Sequence, residues 1–101
     1  MLMLKLLMSW DIRPGREAEY FEFVMKEFAP GLMRLGLEPT EAWYTMYGDC
    51  PQVLTGSVAK DMVTIQDILT SEEWQNLYHR LLGYVSDYRH KVIHASGGFQ
   101  L

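Results

Sequence analysis

The chain opens in strict alternation. Leu2, Leu4, Leu6, Met8 and Trp10 fall on one side of an extended backbone, and Met3, Lys5, Leu7, Ser9 and Asp11 on the other. That period of two predicts a strand over about Leu2 to Ile12. One side is wholly apolar and the other mixed. A strand with apolar residues on both sides belongs in the middle of a sheet, with one face under helices and the other not fully in water.

From Pro14 to Leu35 the period changes to that of a helix. Arg13-Pro14-Gly15-Arg16-Glu17 makes the turn into it: proline is harmless where its missing N–H has no partner, and Glu17 and Glu19 suit the positive end of the dipole. Phe21, Val24, Met25, Phe28, Leu32 and Leu35 form the apolar stripe, which leaves Phe23 on the polar side beside Lys26. Pro30 cannot donate to the carbonyl of Lys26 and its ring crowds that turn, so a kink or a new short helix is expected there. Gly36 suits the C-cap.

Two β-rich runs follow, Glu41 to Tyr47 and Val53 to Lys60, joined by Gly48-Asp49-Cys50-Pro51 as a hairpin. Glu41, Trp43, Thr45 and Tyr47 share one side of the first; Ala42, Tyr44 and Met46 share the other. Met62 to Leu69 is weakly helical, and Thr70 with Glu73 fits a capping box for the last helix. Trp74, Leu77, Tyr78, Leu81, Val85 and Tyr88 line one face of that helix. A final strand, Val92 to Gln100, is interrupted at Gly97-Gly98, where a bulge or bend is expected. The order is β-α-β-β-α-β.

With 101 residues the chain is one domain, residues 1–101, and 49% hydrophobic against 22% charged residues is enough for a core without staples. A net charge of −4, with no three Lys or Arg contiguous, argues against a general nucleic-acid binder. The single Cys50 excludes an internal disulfide framework and a multi-cysteine metal site, and fits a reducing cytoplasm. The apolar start has one Lys and no small-x-small cleavage site before Asp11 and Arg13, so it reads as a strand and not a signal peptide. No segment reaches the ~20 apolar residues of a membrane span. A soluble, cytoplasmic protein without membrane contact is expected.

The β-α-β-β-α-β order is ferredoxin-like α+β: an antiparallel four-stranded sheet in spatial order 4-1-3-2 with both helices on one face. Trp10 to Gly15, Phe28-Ala29-Pro30-Gly31-Leu32 before Gly36, Trp43-Tyr44-Thr45, and Ser71-Glu72-Glu73-Trp74 resemble the dimeric α+β barrel superfamily. Within it the chain is most similar to NIPSNAP-like and antibiotic-biosynthesis-monooxygenase-like (ABM-like) proteins. The resemblance covers nearly the whole chain, and its motifs include no catalytic signature. It implies a homodimer whose sheet faces meet as a barrel, with helices outside and a ligand pocket between sheet and helices of each subunit. Relatives of this kind include cofactor-independent monooxygenases, haem-degrading enzymes, isomerases and decarboxylases. The haem-degrading pattern places an Asn on the first strand, a Trp before the last helix and a His on it. This first strand has no Asn, Ile68 or Leu69 stands in place of the Trp, and His79 lies off the Leu81 stripe, so haem degradation is not expected.

The resemblance leaves two functions open. One is a cofactor-independent, monooxygenase-like enzyme acting on an apolar or aromatic small molecule. The other is a non-catalytic ligand-binding or accessory dimer in a larger assembly. Trp10, Tyr20, Tyr44, Trp74 and Tyr78 are the candidates to line a cleft for a flat apolar molecule, with Met residues as adaptable walls. Stripes of this kind also serve as plain core and dimer interface; a cavity separates the two readings. Trp10, Tyr44 and Trp74 are the expected ligand contacts, with Tyr78 adding a phenolic hydrogen bond. His94, between Ile93 and Ala95, is the expected proton acceptor if the site is catalytic. His79 and His90 are expected in solvent on the polar side of the last helix. Asp11 is the ordinary polar end of a strand, and Cys50 lacks a neighbouring base. No cofactor is expected, and no His and carboxylate spacing suits a metal.

Overall fold

In the computed structural model, residues 3–45, 48 and 51–95 are described. The elements are β1 (Met3–Ile12), α1 (Glu17–Phe23), a π-helical turn (Val24–Phe28), α2 (Ala29–Leu35), β2 (Glu38–Tyr44), β3 (Val53–Ala59), α3 (Met62–Leu69), α4 (Glu72–Leu81) and β4 (Val85–Ala95). The four strands form one sheet in the order β2-β3-β1-β4, and every neighbouring pair is antiparallel. This is the ferredoxin-like arrangement expected from the sequence.

The alternation of β1 divides the sheet into two faces. Leu6, Met8 and Trp10 are at most 1% exposed and lie under the helices. Lys5, Leu7 and Ser9, on the opposite face, are half-buried at most, because no helix covers them. Register extends the division: Val53, Thr55, Ser57 and Ala59 of β3 share the helix side, while Leu54, Gly56 and Val58 share the outer side. On β2, Ala42 and Tyr44 are on the helix side, and Glu41 and Trp43 on the outer side. The expected pairing of faces on β2 therefore holds for its described residues, although β2 starts earlier than expected, at Glu38.

The first helical stretch departs from its expected phase. Phe23 is buried, whereas Phe21 and Met25 are exposed. The cause lies at Pro30. With no N–H to give the Lys26 carbonyl, and a ring that crowds it, the helix widens upstream. The Ala29 N–H bonds the Val24 carbonyl, five residues back, as a π turn requires. One turn thus takes up an extra residue, and Phe23 and Phe28 share the core face with ring centroids 6.0 Å apart. The perturbation expected at Pro30 is real, but it appears as a π turn before the proline. Beyond it, Gly36 has φ of 102° and closes the helix as expected. The Leu37 N–H bonds the Leu32 carbonyl at 3.0 Å, which buries the Leu37 side chain beside the helix end.

The last helix is shorter than its stripe suggested. α4 ends at Leu81, a turn follows through Gly83, and Val85 already belongs to β4. Val85 and Tyr88 face the core from a strand, and His90 is on β4 and not on a helix. Between Ser9 and Asp11 of β1, the β4 partners run from Arg89 to Ser86, so Asp87 and Tyr88 together oppose Trp10. Asp87 takes φ of 54° at this bulge. The bulge turns Tyr88 onto Trp10, with rings 6.0 Å apart and 10° from parallel. Gly97-Gly98, where a bulge was expected, lies outside the described residues.

Capping is also offset by one residue. Ser71, not Thr70, accepts the Trp74 N–H (3.2 Å) and caps α4, while Thr70 closes α3 and donates to the Gln66 carbonyl at 2.8 Å. α3 itself starts at Asp61, whose carboxylate accepts the Thr64 N–H at 2.8 Å. That bond holds the Asp61 carboxyl below the ordinary carboxylate range. Ser71→Ala is expected to lose about 1 kcal/mol of stability. Thr70→Ala, which leaves the cap in place, should lose less. Urea denaturation of both variants checks the assignment.

Candidate functional site

A cavity of about 300 Å³ lies between the sheet and the first helical stretch. Its floor is the helix side of β3, where Val53, Thr55 and Ser57 are too small to reach the helices, together with Ala42 of β2. Its roof is Tyr20, Phe21, Val24, Phe28 and Leu32, presented by α1, the π turn and α2. Trp10 closes the inner end. The π turn shapes this roof, since it determines which residues between Tyr20 and Leu32 face the sheet. Among the most exposed of the lining residues are Phe21 and Tyr44, whose rings pair at 6.2 Å and 29°. They form the mouth.

The polar groups in this apolar space are few and held in place. Trp10 Nε1 donates to the Tyr20 hydroxyl at 2.9 Å, so that oxygen is an acceptor toward the core and its own hydrogen is directed elsewhere. Burial raises the Tyr20 pKa, only partly offset by the bond from Trp10, and the phenol stays neutral. The Thr55 hydroxyl is buried without a hydrogen-bond partner. Tyr44 is tied at the rim: its hydroxyl accepts from Gln52 Nε2 at 2.8 Å. Gln52 also accepts the Ile12 N–H at 2.8 Å, and its own N–H donates to Asp11 Oδ1 at 2.9 Å. Asp11 therefore anchors the end of the β2–β3 hairpin to β1, the ordinary structural duty expected of it.

Glu41 is also at the cavity edge, but its side chain is on the outer face of the sheet. Its carboxylate accepts from Lys5 Nζ at 2.5 Å, across the intervening strand β3. Gly56 permits this crossing, since a Cβ there would collide with Glu41 Oε1. Among the described lining residues none is Lys, Arg or His.

The expected site residues divide into two groups. Trp10, Tyr20 and Tyr44 line the cavity. Trp74 and Tyr78 do not. They stack on each other at 5.9 Å behind Trp10, with Trp74 against Phe28 and Tyr78 against Tyr88. Burial and the adjacent Tyr78 push the Tyr88 pKa strongly upward, as suits a core phenol. His94 is exposed on β4, opposite Leu4. Trp10 is six residues further along β1, about 20 Å at the rise of a strand, and Tyr44 lies at the other sheet edge, about 14 Å across. His94 cannot share a small molecule with them. The mixed run Ile93-His94-Ala95 suggested apolar surroundings, but an edge strand leaves that histidine in water. His79 and His90 are exposed, and Cys50 lies outside the described residues. Thr55, Ser57 and Ala42 were missed, since small strand residues give no sign in sequence of the volume they leave open. No cluster of metal-ligating side chains occurs among the described residues. No described helix is long and apolar enough to cross a membrane.

No protein-family model matches the chain, and no curated protein matches it. Solved structures do. A DABB family protein with a ferredoxin-like fold from Mesorhizobium loti superposes with a TM-score of 0.76 at 8% identity, over 96% of this chain and all (100%) of that one. A NIPSNAP family protein from Agrobacterium tumefaciens gives 0.67 at 18% identity, over 95% and 87%. A dimeric protein of unknown function with a ferredoxin-like fold from Bacteroides fragilis gives 0.63 at 14%, over 92% and 96%. The chain has their fold. At these identities the likeness is one of architecture, in line with the NIPSNAP-like resemblance of its motifs, and carries no activity with it.

Proposed function

We propose that this protein is a homodimer that binds a flat, apolar small molecule in the cavity between its sheet and its first helical stretch. The cavity carries the reading. It has the volume of a small-molecule site, at the lower end of the usual ~300–1,000 Å³, with aromatic walls and few polar groups. Binding is favoured over catalysis by the state of the titratable lining groups. Tyr20 is held protonated, Glu41 is turned to the outer face and held by Lys5, and the Tyr44 hydroxyl is engaged by Gln52. None is left as a base, and His94 and Tyr78 stand outside the cavity.

Dimerisation is supported by the outer sheet face. Leu7, Leu54 and Val58 are half-buried there, and Trp43 and Ile93 are exposed, without a covering helix. This apolar surface, interrupted by the Lys5–Glu41 pair and flanked by Arg89 and Lys91, suits a second sheet. One similarly folded protein is described as dimeric.

Ala42→Phe tests the cavity. Ala42 is exposed on β2, so the larger ring is accommodated without overpacking the core and occupies the cavity. Naphthalene is expected to bind the wild type measurably by calorimetry and to bind Ala42→Phe at least about tenfold more weakly, at unchanged thermal stability. Equal affinity for the two proteins would remove the cavity as the site.

A further inference from the structure

We propose that the cavity selects an uncharged aromatic ligand carrying a carbonyl or similar acceptor, which the Tyr20 and Thr55 hydroxyls hold. This rests on the cavity being a ligand site and goes on to its chemistry. Two observations carry it. The Tyr20 oxygen accepts from Trp10 Nε1, so what the phenol has left to offer is its hydrogen. Thr55 is on the same lining, and its hydroxyl, covered in this rotamer, has no partner; a turn about χ1 presents it to the cavity. A buried hydroxyl without a partner is costly and is relieved by a ligand atom that completes it.

Charge completes the selection. With no Lys, Arg or His among the described lining residues, an anionic ligand would be desolvated without a counter-charge. A cation would find aromatic faces but also two hydroxyls, of which the phenol must donate. A neutral acceptor is the chemistry that all of these groups accept. The exposed rings of Phe21 and Tyr44 at the mouth then supply most of the aromatic contact area.

The experiment compares three probes of nearly equal shape by calorimetry: 2-acetylnaphthalene, 2-ethylnaphthalene and 2-naphthoate. Each is titrated into the wild type, Tyr20→Phe and Thr55→Val. The ratio of ketone to hydrocarbon Kd, read in each protein, cancels the different hydrophobicity of the two ligands. In each variant that ratio is expected to move about three- to tenfold against the ketone, whatever change in affinity the two ligands share. 2-Naphthoate is expected to bind more weakly than the ketone. Thr55→Val keeps the side-chain shape and guards against any loss of fold in Tyr20→Phe, which also strips Trp10 of its acceptor. A ratio unchanged in both variants, or tighter binding of 2-naphthoate than of the ketone, overturns the selection and leaves the cavity as a less discriminating apolar site. If none of the three binds the wild type, the binding reading falls with it.

Discussion

Trp74→Ala is expected to cost about 3–5 kcal/mol of stability, the range for truncating a large buried aromatic. Trp74 is 3% exposed, stacked on Tyr78 and tilted against Phe28. Phe28 in turn packs edge-on against Trp10, and Tyr78 against Tyr88, which stacks on Trp10 from the other side. Removing the indole therefore opens a void at the junction of α4, the π turn and β4, and these elements cannot all collapse into it together. Thermal melts at fixed protomer concentration should show a fall in Tm of roughly 15 °C or more for a domain of this size. Trp74→Phe, which keeps a ring in place, should recover more than half of the loss. The side chain lies outside the cavity lining, so the affinity of Trp74→Phe for naphthalene should match the wild type. A loss below about 1 kcal/mol in Trp74→Ala would mean that the indole borders open space, and the core assignment would be wrong.

The course of β1 and the order of elements were legible because each rests on a signal repeated many times. Leu4, Leu6, Met8 and Trp10 repeat the same alternation, and one misread residue does not alter it. The helix phase was not legible because it depended on a single event. Phe23 joined the core face when the π turn before Pro30 took up one extra residue, leaving Phe21 at the cavity mouth, and no periodicity of 3.6 contains that shift. The end of α4 failed for a related reason. Val85 and Tyr88 continue the spacing of Trp74, Leu77 and Leu81, yet they reach the core from a strand, Tyr88 by way of the bulge at Asp87. A stripe records which residues face inward, not which backbone carries them. The aromatic half of the cavity, Trp10, Tyr20 and Tyr44, could be named from composition and face. Its floor of Ala42, Thr55 and Ser57 could not, because a cavity is missing volume and depends on what the opposite element fails to fill.

Leu7→Lys is expected to dissociate the proposed dimer. Leu7 lies at the centre of the outer face, beside Gly56 on β3 and Lys91 on β4. Because Gly56 has no side chain, Lys5 and Glu41 pair over it within one subunit, so these two charges on the face are already matched there. What remains for a partner is the apolar surface of Leu7, Leu54, Val58, Trp43 and Ile93, flanked on β4 by Lys91 and Arg89. An ammonium in its middle would be desolvated with no carboxylate free to receive it, at a cost of about 3 kcal/mol or a hundredfold in Kd. The subunit itself should tolerate the change, since Leu7 is only half-buried from one chain, and repulsion from Lys91 should stay within about 1 kcal/mol. Light scattering at micromolar concentration should give the wild type at twice 11.8 kDa and the variant near 11.8 kDa. Their circular dichroism should be alike. Leu54→Lys, on the neighbouring strand of the same face, should behave the same way without the nearby Lys91. A wild type that is monomeric at tens of micromolar would refute pairing through the sheet and leave the apolar outer face in need of another partner.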